Sequence, residues 1–344
     1  MSKFRSLAFF RFVDRSWNIV GMAFLGLACL LALSGCAAVQ VKLGMKIYLA
    51  KIPVTSIEAS QPKGPGIGPG RKSRLVVAVT QPDGKVLLTE GAGKGKVLWQ
   101  DLVVTPTVVT VNKKGVVTLA KDPRKSDGMH PQVAITVPSH PDIHTELEIP
   151  LRYDYNFISD FSGSPGSSGM NGSDGSSGMS GSSGSMDLDN PSAGGDGGNG
   201  GDGSNGSDGG SGGDATPVQV LVTLRPGSHP LLQASVVAAG HHRFYLIDPQ
   251  GGSLTVIADG GTGGSGGKGG RGGQGGSGGM GMPSGSSGSN GSDGRDGSDG
   301  SPGSGGLITV TYDPQVKPYL AEIHLSSQNG PTPVWQEAPV APLW

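Results

Sequence analysis

Between residues 163 and 306 the chain carries four tracts with glycine at every third position: 163–184, 194–212, 260–281 and 285–306. The tracts match in length to within a few residues and come in two pairs. Residues 185–193 join the first pair and Met282-Pro283-Ser284 the second. A period of three suits neither the 3.6-residue α-helix nor the two-residue pleat of a strand. It fits an extended left-handed helix with about three residues per turn, which makes no internal hydrogen bonds and aims every N–H and C=O outward. Such a chain is held only by neighbours that come close enough to bond those groups. Each tract would reach roughly 60–70 Å at about 3.1 Å per residue.

The N-terminus reads as an export signal. Lys3, Arg5, Arg11 and Arg15 make a basic start, an apolar run follows over residues 20–33, and Leu33-Ser34-Gly35-Cys36 closes it. That ending resembles the bacterial lipobox, which implies a signal peptide over residues 1–35, cleavage before Cys36 and lipidation of its thiol. Two or three acyl chains would anchor the protein to a membrane, since one alone binds marginally. Ala37 stands where an aspartate would retain a Gram-negative lipoprotein at the inner membrane, so the resemblance implies the outer membrane. Cys29 lies in the signal, which leaves the mature chain without a disulfide.

The net charge of −1 conceals an asymmetry. Residues 40–157 hold sixteen Lys and Arg against ten Asp and Glu, while residues 163–214 hold seven aspartates and no basic residue. The basic part lacks the arginine clusters and interleaved aromatics of a nucleic-acid surface, so nucleic acid is not an expected partner.

The fold class expected is all-β. Over residues 36–157, apolar alternation at 74–79, 85–89, 97–104, 107–111, 116–119, 132–137 and 146–151, broken by turns such as Gln81-Pro82-Asp83-Gly84, predicts a small N-terminal β-sandwich. The run from Val108 to Leu119 resembles the signature of bacterial Ig-like domains, which act as spacers or adhesive modules. A second β-domain is divided by the glycine tracts, with strands over 218–224, 231–238, 243–247, 254–258, 307–312 and 319–325. Residues 243–247 and 254–258 read as a hairpin with a five-residue turn. The domain plan is thus a glycine hairpin over 158–215, β-domain over 216–259, a second glycine hairpin over 260–306, β-domain over 307–330 and a proline-rich extended tail over 331–344.

Glycine at every third residue resembles bacterial collagen-like proteins, which would imply a trimeric stalk. Only Pro165 and Pro302 fall within the triplets, however, and the second and third tracts carry two glycines in three, more than a triple helix requires. The doubled glycine resembles instead the polyglycine-II bundles of certain antifreeze proteins and phage adhesins, in which glycine-lined faces let strands pack side by side. Matched lengths and short connectors favour two antiparallel polyproline-II-like hairpins packed within one chain, a monomer rather than a trimer. Disordered tracts are the other alternative.

Asp196, Asp202, Asp208 and Asp214 recur every six residues and share one face, which suits a calcium column, cross-strand pairing with Lys268 and Arg271 of the third tract, or a solvated edge. Asp293, Asp296 and Asp299 form another column. The serine-hydrolase-like Gly263-Gly264-Ser265-Gly266-Gly267 has no strand–turn–helix around it. His140, His144, His241 and His242 do not show the convergence a zinc site needs. No catalytic residue, cofactor site or resident metal is therefore expected. The reading is a lipid-anchored cell-surface protein with a structural or adhesive role, or a module binding polysaccharide, ice or a protein partner.

Overall fold

The computed structural model describes residues 37–344, so the signal segment and Cys36 lie outside the described residues. The chain is mostly β-strand and divides into two compact units between Arg152 and Tyr153.

In the first unit nine strands form three antiparallel sheets of three: β1 (Ser56–Ser60), β3 (Val76–Thr80) and β4 (Val86–Leu88); β2 (Lys72–Arg74), β7 (Val116–Leu119) and β6 (Val109–Val111); β5 (Val103–Thr107), β8 (Gln132–Val137) and β9 (His140–Glu148). Alternation builds the core: Val133, Ile135 and Val137 face inward from β8 and join Val77, Val79, Val117, Trp99 and Ile149 in one apolar cluster. The β6–β7 turn is closed by the Asn112 side chain, which accepts from the N–H groups of Lys114 and Val116. Gly115 in that turn has φ 69°, and the Trp99 ring fills the space a Cβ would need. The strand expected over 97–104 is broken by a 3-10 turn at Trp99–Asp101, whose Asp101 carboxylate accepts from the Leu49 N–H at 2.8 Å. Burial raises the pKa of that carboxyl. His140 and His144, which precede the strand expected over 146–151, stand on β9, and that strand begins earlier than expected.

The second unit contains β10 (Asn156–Asp160), β11 (Val218–Leu224), β12 (Leu232–Ala238), β13 (His241–Ile247), β14 (Ser253–Ile257), β15 (Ile308–Tyr312), β16 (Ile323–Ser326) and β17 (Val334–Glu337). A parallel sheet has the order β10-β14-β16, and a mixed sheet the order β13-β12-β11-β15-β17. Both contribute to one apolar cluster, which includes Leu254, Val256, Val220, Ala234, Ile247, Ile308 and Val310.

The hairpin expected from 243–247 and 254–258 does not form. β13 pairs with β12, whereas β14 lies between β10 and β16. The intervening turn, with Gly251 at φ 129° and Gly252 packed against the Tyr153 and Asp248 carbonyls, carries the chain from one sheet to the other. Ile247 and Leu254 consequently enter the same apolar cluster from different sheets. Period-2 alternation marks an inward face equally well for strands lying side by side and strands facing each other.

Three times the chain leaves the parallel sheet and enters the mixed one: β10 to β11, β14 to β15, and β16 to β17. These three arcs stack in register, with Asn156 beside Ser253, Val218 beside Ile308, Leu254 beside Ile323 and Thr309 beside Val334. The first two arcs contain the glycine tracts, and the third crosses by the short connection 327–333. The expected tail is pinned rather than loose. Val340 donates to Asp313, the Thr223 hydroxyl donates to the Val340 carbonyl, and Leu343 donates to the buried Gln233.

Candidate functional site

The glycine tracts contain no regular strand or helix, and none of their residues takes a positive φ. Their backbone groups instead bond between tracts with a strict period of three. Every third N–H of the first tract, from Gly163 to Gly184, donates to a carbonyl of the third, from Asp259 to Met280, at 2.6–2.9 Å. The two therefore run parallel. The second tract donates in antiparallel register to the first, from Gly195 to Ser182 through Gly213 to Ser164, and in parallel register to the fourth, from Gly194 to Pro283 through Ala215 to Ser304. The third donates to the second, Gly261 to Gly213 through Gly279 to Gly195, and the fourth to the third, Gly285 to Gly279 through Gly303 to Gly261.

The second and third tracts each pair with all three others, while the first and fourth pair with two. This explains the composition. The inner pair is the one with two glycines per triplet, and the outer pair has one. The innermost column, Gly261, Gly264, Gly267, Gly270, Gly273, Gly276 and Gly279, is buried throughout. A Cβ at Gly270 would overlap the Ser173 carbonyl, and one at Gly269 the Gly294 carbonyl. The single glycine of each first-tract triplet is equally tight, since a Cβ at Gly172 would overlap the Ser204 carbonyl. Tolerance thus follows the column rather than the tract.

The register of the sheets continues into the tracts. Residues 97 apart are partners where Asn171 accepts from Lys268 N–H and Asp174 from Arg271 N–H, the same offset as between β10 and β14. Residues 90 apart are partners between the second and fourth tracts, the offset of β11 and β15. At the sheet end the third arc closes the ladder: Gly260 donates to Gln328, Gly305 to Asn329, and Asp259 accepts from Gln328 N–H.

The aspartate column has a specific place in this arrangement. Asp196, Asp202, Asp208 and Asp214 each accept a backbone N–H of the fourth tract, from Ser286, Ser292, Ser298 and Ser304 in turn, all at 2.7 Å. Asn199 and Asn205 do the same for Ser289 and Arg295. An amide oxygen and a carboxylate oxygen serve alike as these acceptors, which accounts for the alternation of Asp and Asn. Asp293, Asp296, Asp299 and Asn290 cap third-tract N–H groups in the same way. Lys268 pairs with Asp296 of the fourth tract at 2.7 Å, not with the second-tract aspartates. The Lys268 side chain, followed by the Gly269 N–H, holds the Asp296 carboxyl below its ordinary pKa. This capping column was legible as a repeat in the sequence, but its partner was not, because the register depends on strands far away.

The six large apolar side chains of the glycine tracts and their connectors (residues 163–214 and 260–306) are Met170, Met179, Met186, Leu188, Met280 and Met282, and all are exposed. The last four cluster at the end farthest from the sheets. There Met282 N–H donates to the Ser192 carbonyl and Gly194 N–H to the Pro283 carbonyl, tying the two connectors together. Among the described residues no three His, Cys, Asp or Glu converge as a metal site. Ser265, in the hydrolase-like stretch, lies on the outer surface with its hydroxyl 3.4 Å from that of Ser168. No protein-family model, characterised protein or solved structure matches the chain.

Proposed function

We propose that the chain is a bacterial outer-membrane lipoprotein of the cell surface, acylated at Cys36, whose second unit is a rigid display element. In this reading the first unit is an Ig-like β-sandwich spacer. The second is a β-sandwich from which two polyproline-II-like hairpins project as a packed polyglycine-II bundle. The observation that carries it is the continuity of register: offsets of 97 and 90 run unbroken from paired β-strands through the whole of each glycine tract. Strands and tracts fixed in one lattice resist bending in a way a Gly/Ser linker does not.

Both inner and outer strands come from one chain, and three of the five tract pairings are antiparallel. That supports a monomer over a trimeric collagen-like stalk, which needs three parallel chains. The role is structural and adhesive rather than enzymatic, with no cofactor and no nucleic-acid partner. The experiment for the anchor is Cys36→Ser. Loss of acylation and release from membranes in high salt is the expected result, and retention of the variant on membranes would refute the lipoprotein reading.

A further inference from the structure

A bundle held by backbone hydrogen bonds has no apolar core in which to hide a large side chain. Along the ladder itself Ser, Asp, Asn and Gly predominate, and Met170 and Met179, nine residues apart on the first tract, are its two large apolar residues before the tip. At the far end the pattern breaks. Met186, Leu188, Met280 and Met282 are 60%, 82%, 70% and 43% exposed. None of these side chains takes part in the ladder, because the bonds that tie the connectors together come from Ser185, Ser192, Gly194 and the Met282 backbone. Stability of the bundle therefore does not require them. Their common location at one end of a stiff element some 65 Å long, at about 3.1 Å per residue, is the feature that calls for an explanation.

We propose that this tip is a docking surface for a protein partner that presents an apolar recess rimmed by Lys or Arg. The inference rests on the display reading above. Two features of the tip define the partner. Unbranched, polarisable Met side chains adapt to an irregular apolar surface. The connectors carry Asp187 and Asp189 and no basic residue, so a cationic rim complements them. The same carboxylates disfavour an anionic membrane. Both are positioned rather than trailing, since Asp187 accepts from the Asp189 N–H at 3.0 Å and its carbonyl from the Asn190 N–H.

The test uses the full-length lipid-free chain as bait for a random-peptide phage library. Counter-selection is against the variant Met186→Ser/Leu188→Ser/Met282→Ser, which leaves the ladder intact. Enriched peptides are expected to combine aromatic or aliphatic residues with Lys or Arg. They should lose at least about tenfold in affinity for the variant, equivalent to about 1.4 kcal/mol, and shield Met186 and Met282 from sulfoxidation by hydrogen peroxide. Asp187→Asn/Asp189→Asn, which keeps the acceptor at residue 187, should weaken them about threefold and flatten their salt dependence. Peptides that bind the variant equally well, or that lack basic residues, overturn the proposal. Binding of the chain to phosphatidylcholine vesicles through these methionines overturns it in favour of a lipid surface. Hydrogen exchange of the tract glycines, measured on the same samples, separates the two readings. Protected glycines without tip-dependent peptides remove the docking surface alone, whereas unprotected glycines remove the display element as well.

Discussion

The sheets and the glycine ladder of the second unit share one register but are held by opposite means. In the sheets, Leu254, Val256, Ile308 and Val310 are fully buried, and removal of apolar surface from water supplies the stability. In the ladder almost nothing apolar is buried. There the backbone hydrogen bond, about 1 kcal/mol net, recurs at every third residue along five strand pairings and is reinforced by carboxylate and amide caps. The rule for substitution inverts between the two. A core of side chains is damaged by making a residue smaller, and a core of backbone is damaged by making one larger.

The sharpest way to break this contrast is Gly270→Ala. One methyl would stand where the Ser173 carbonyl is, and backbone on every side leaves no flexible group to yield. The expected result is loss of hydrogen-exchange protection along all four tracts while the sheets stay folded. Protection unchanged from wild type would mean that the inner column is not packed. In the sheets, Leu254→Ala should destabilise the unit by about 2–5 kcal/mol and Leu254→Met by less than about 1.5 kcal/mol, read by denaturant unfolding.

Adjacent glycines sharpen the comparison further. At Gly200 a Cβ would overlap the Gly273 carbonyl, whereas at Gly201 it would meet the Ser176 hydroxyl at 3.1 Å and its N–H nitrogen at 3.3 Å. Ser204 and Ser207 already occupy the Gly201 column, and their hydroxyls accept from Ser173 and Met170 N–H groups at 2.7 Å. Gly201→Ser is expected to leave melting and exchange unchanged or slightly improved. Gly200→Ser should abolish local protection, and equal tolerance at both positions would contradict the column rule. The caps predict a smaller difference. Asp202→Ala leaves the Ser292 N–H without its acceptor and should cost about 1 kcal/mol, while Asp202→Asn, chemically the state of Asn199 and Asn205, should be silent.

The smallest effect concerns pH. The Asp296 carboxyl is held below its ordinary value, chiefly by Lys268. Its contribution to stability is present above the unfolded carboxyl pKa and is lost as pH falls through the lower folded value. With both side chains at the surface, the change in stability is slight. An NMR titration should place Asp296 below a model aspartate, and Lys268→Met should raise it, the Gly269 N–H keeping part of the shift.

How much of this was legible in the sequence depends on the range of the determinant. The all-β class follows from alternation within each strand. The tract boundaries follow from a three-residue period visible to the eye. Which tracts lie inside also has a sequence signal, the second glycine per triplet, since a strand with three neighbours has fewer faces free for side chains. The failed hairpin over 243–257 and the interrupted strand over 97–104 had no comparable signal. The first turned on whether two inward faces sit beside or across from one another, and the second on a side-chain bond from Asp101 to a backbone N–H some fifty residues away. The aspartate column was visible as a repeat, but its role required the 90-residue register set by β11 and β15. Cys36 lies outside the described residues, and its role stays with the Cys36→Ser experiment.

Residue-resolved hydrogen exchange of the glycine tracts tests the ladder most directly, because its pattern matters as well as its extent. In the second tract the N–H groups of Gly195, Gly198 and Gly201 donate to the first tract, and those of Gly194, Gly197 and Gly200 to the fourth. The N–H groups of Asp196, Asn199 and Asp202 have no partner among the described residues. Two protected amides followed by one that exchanges at the free-chain rate, repeating every three residues along the tract, is the predicted result. Uniform exchange at the free-chain rate, or protection without that period, would contradict it.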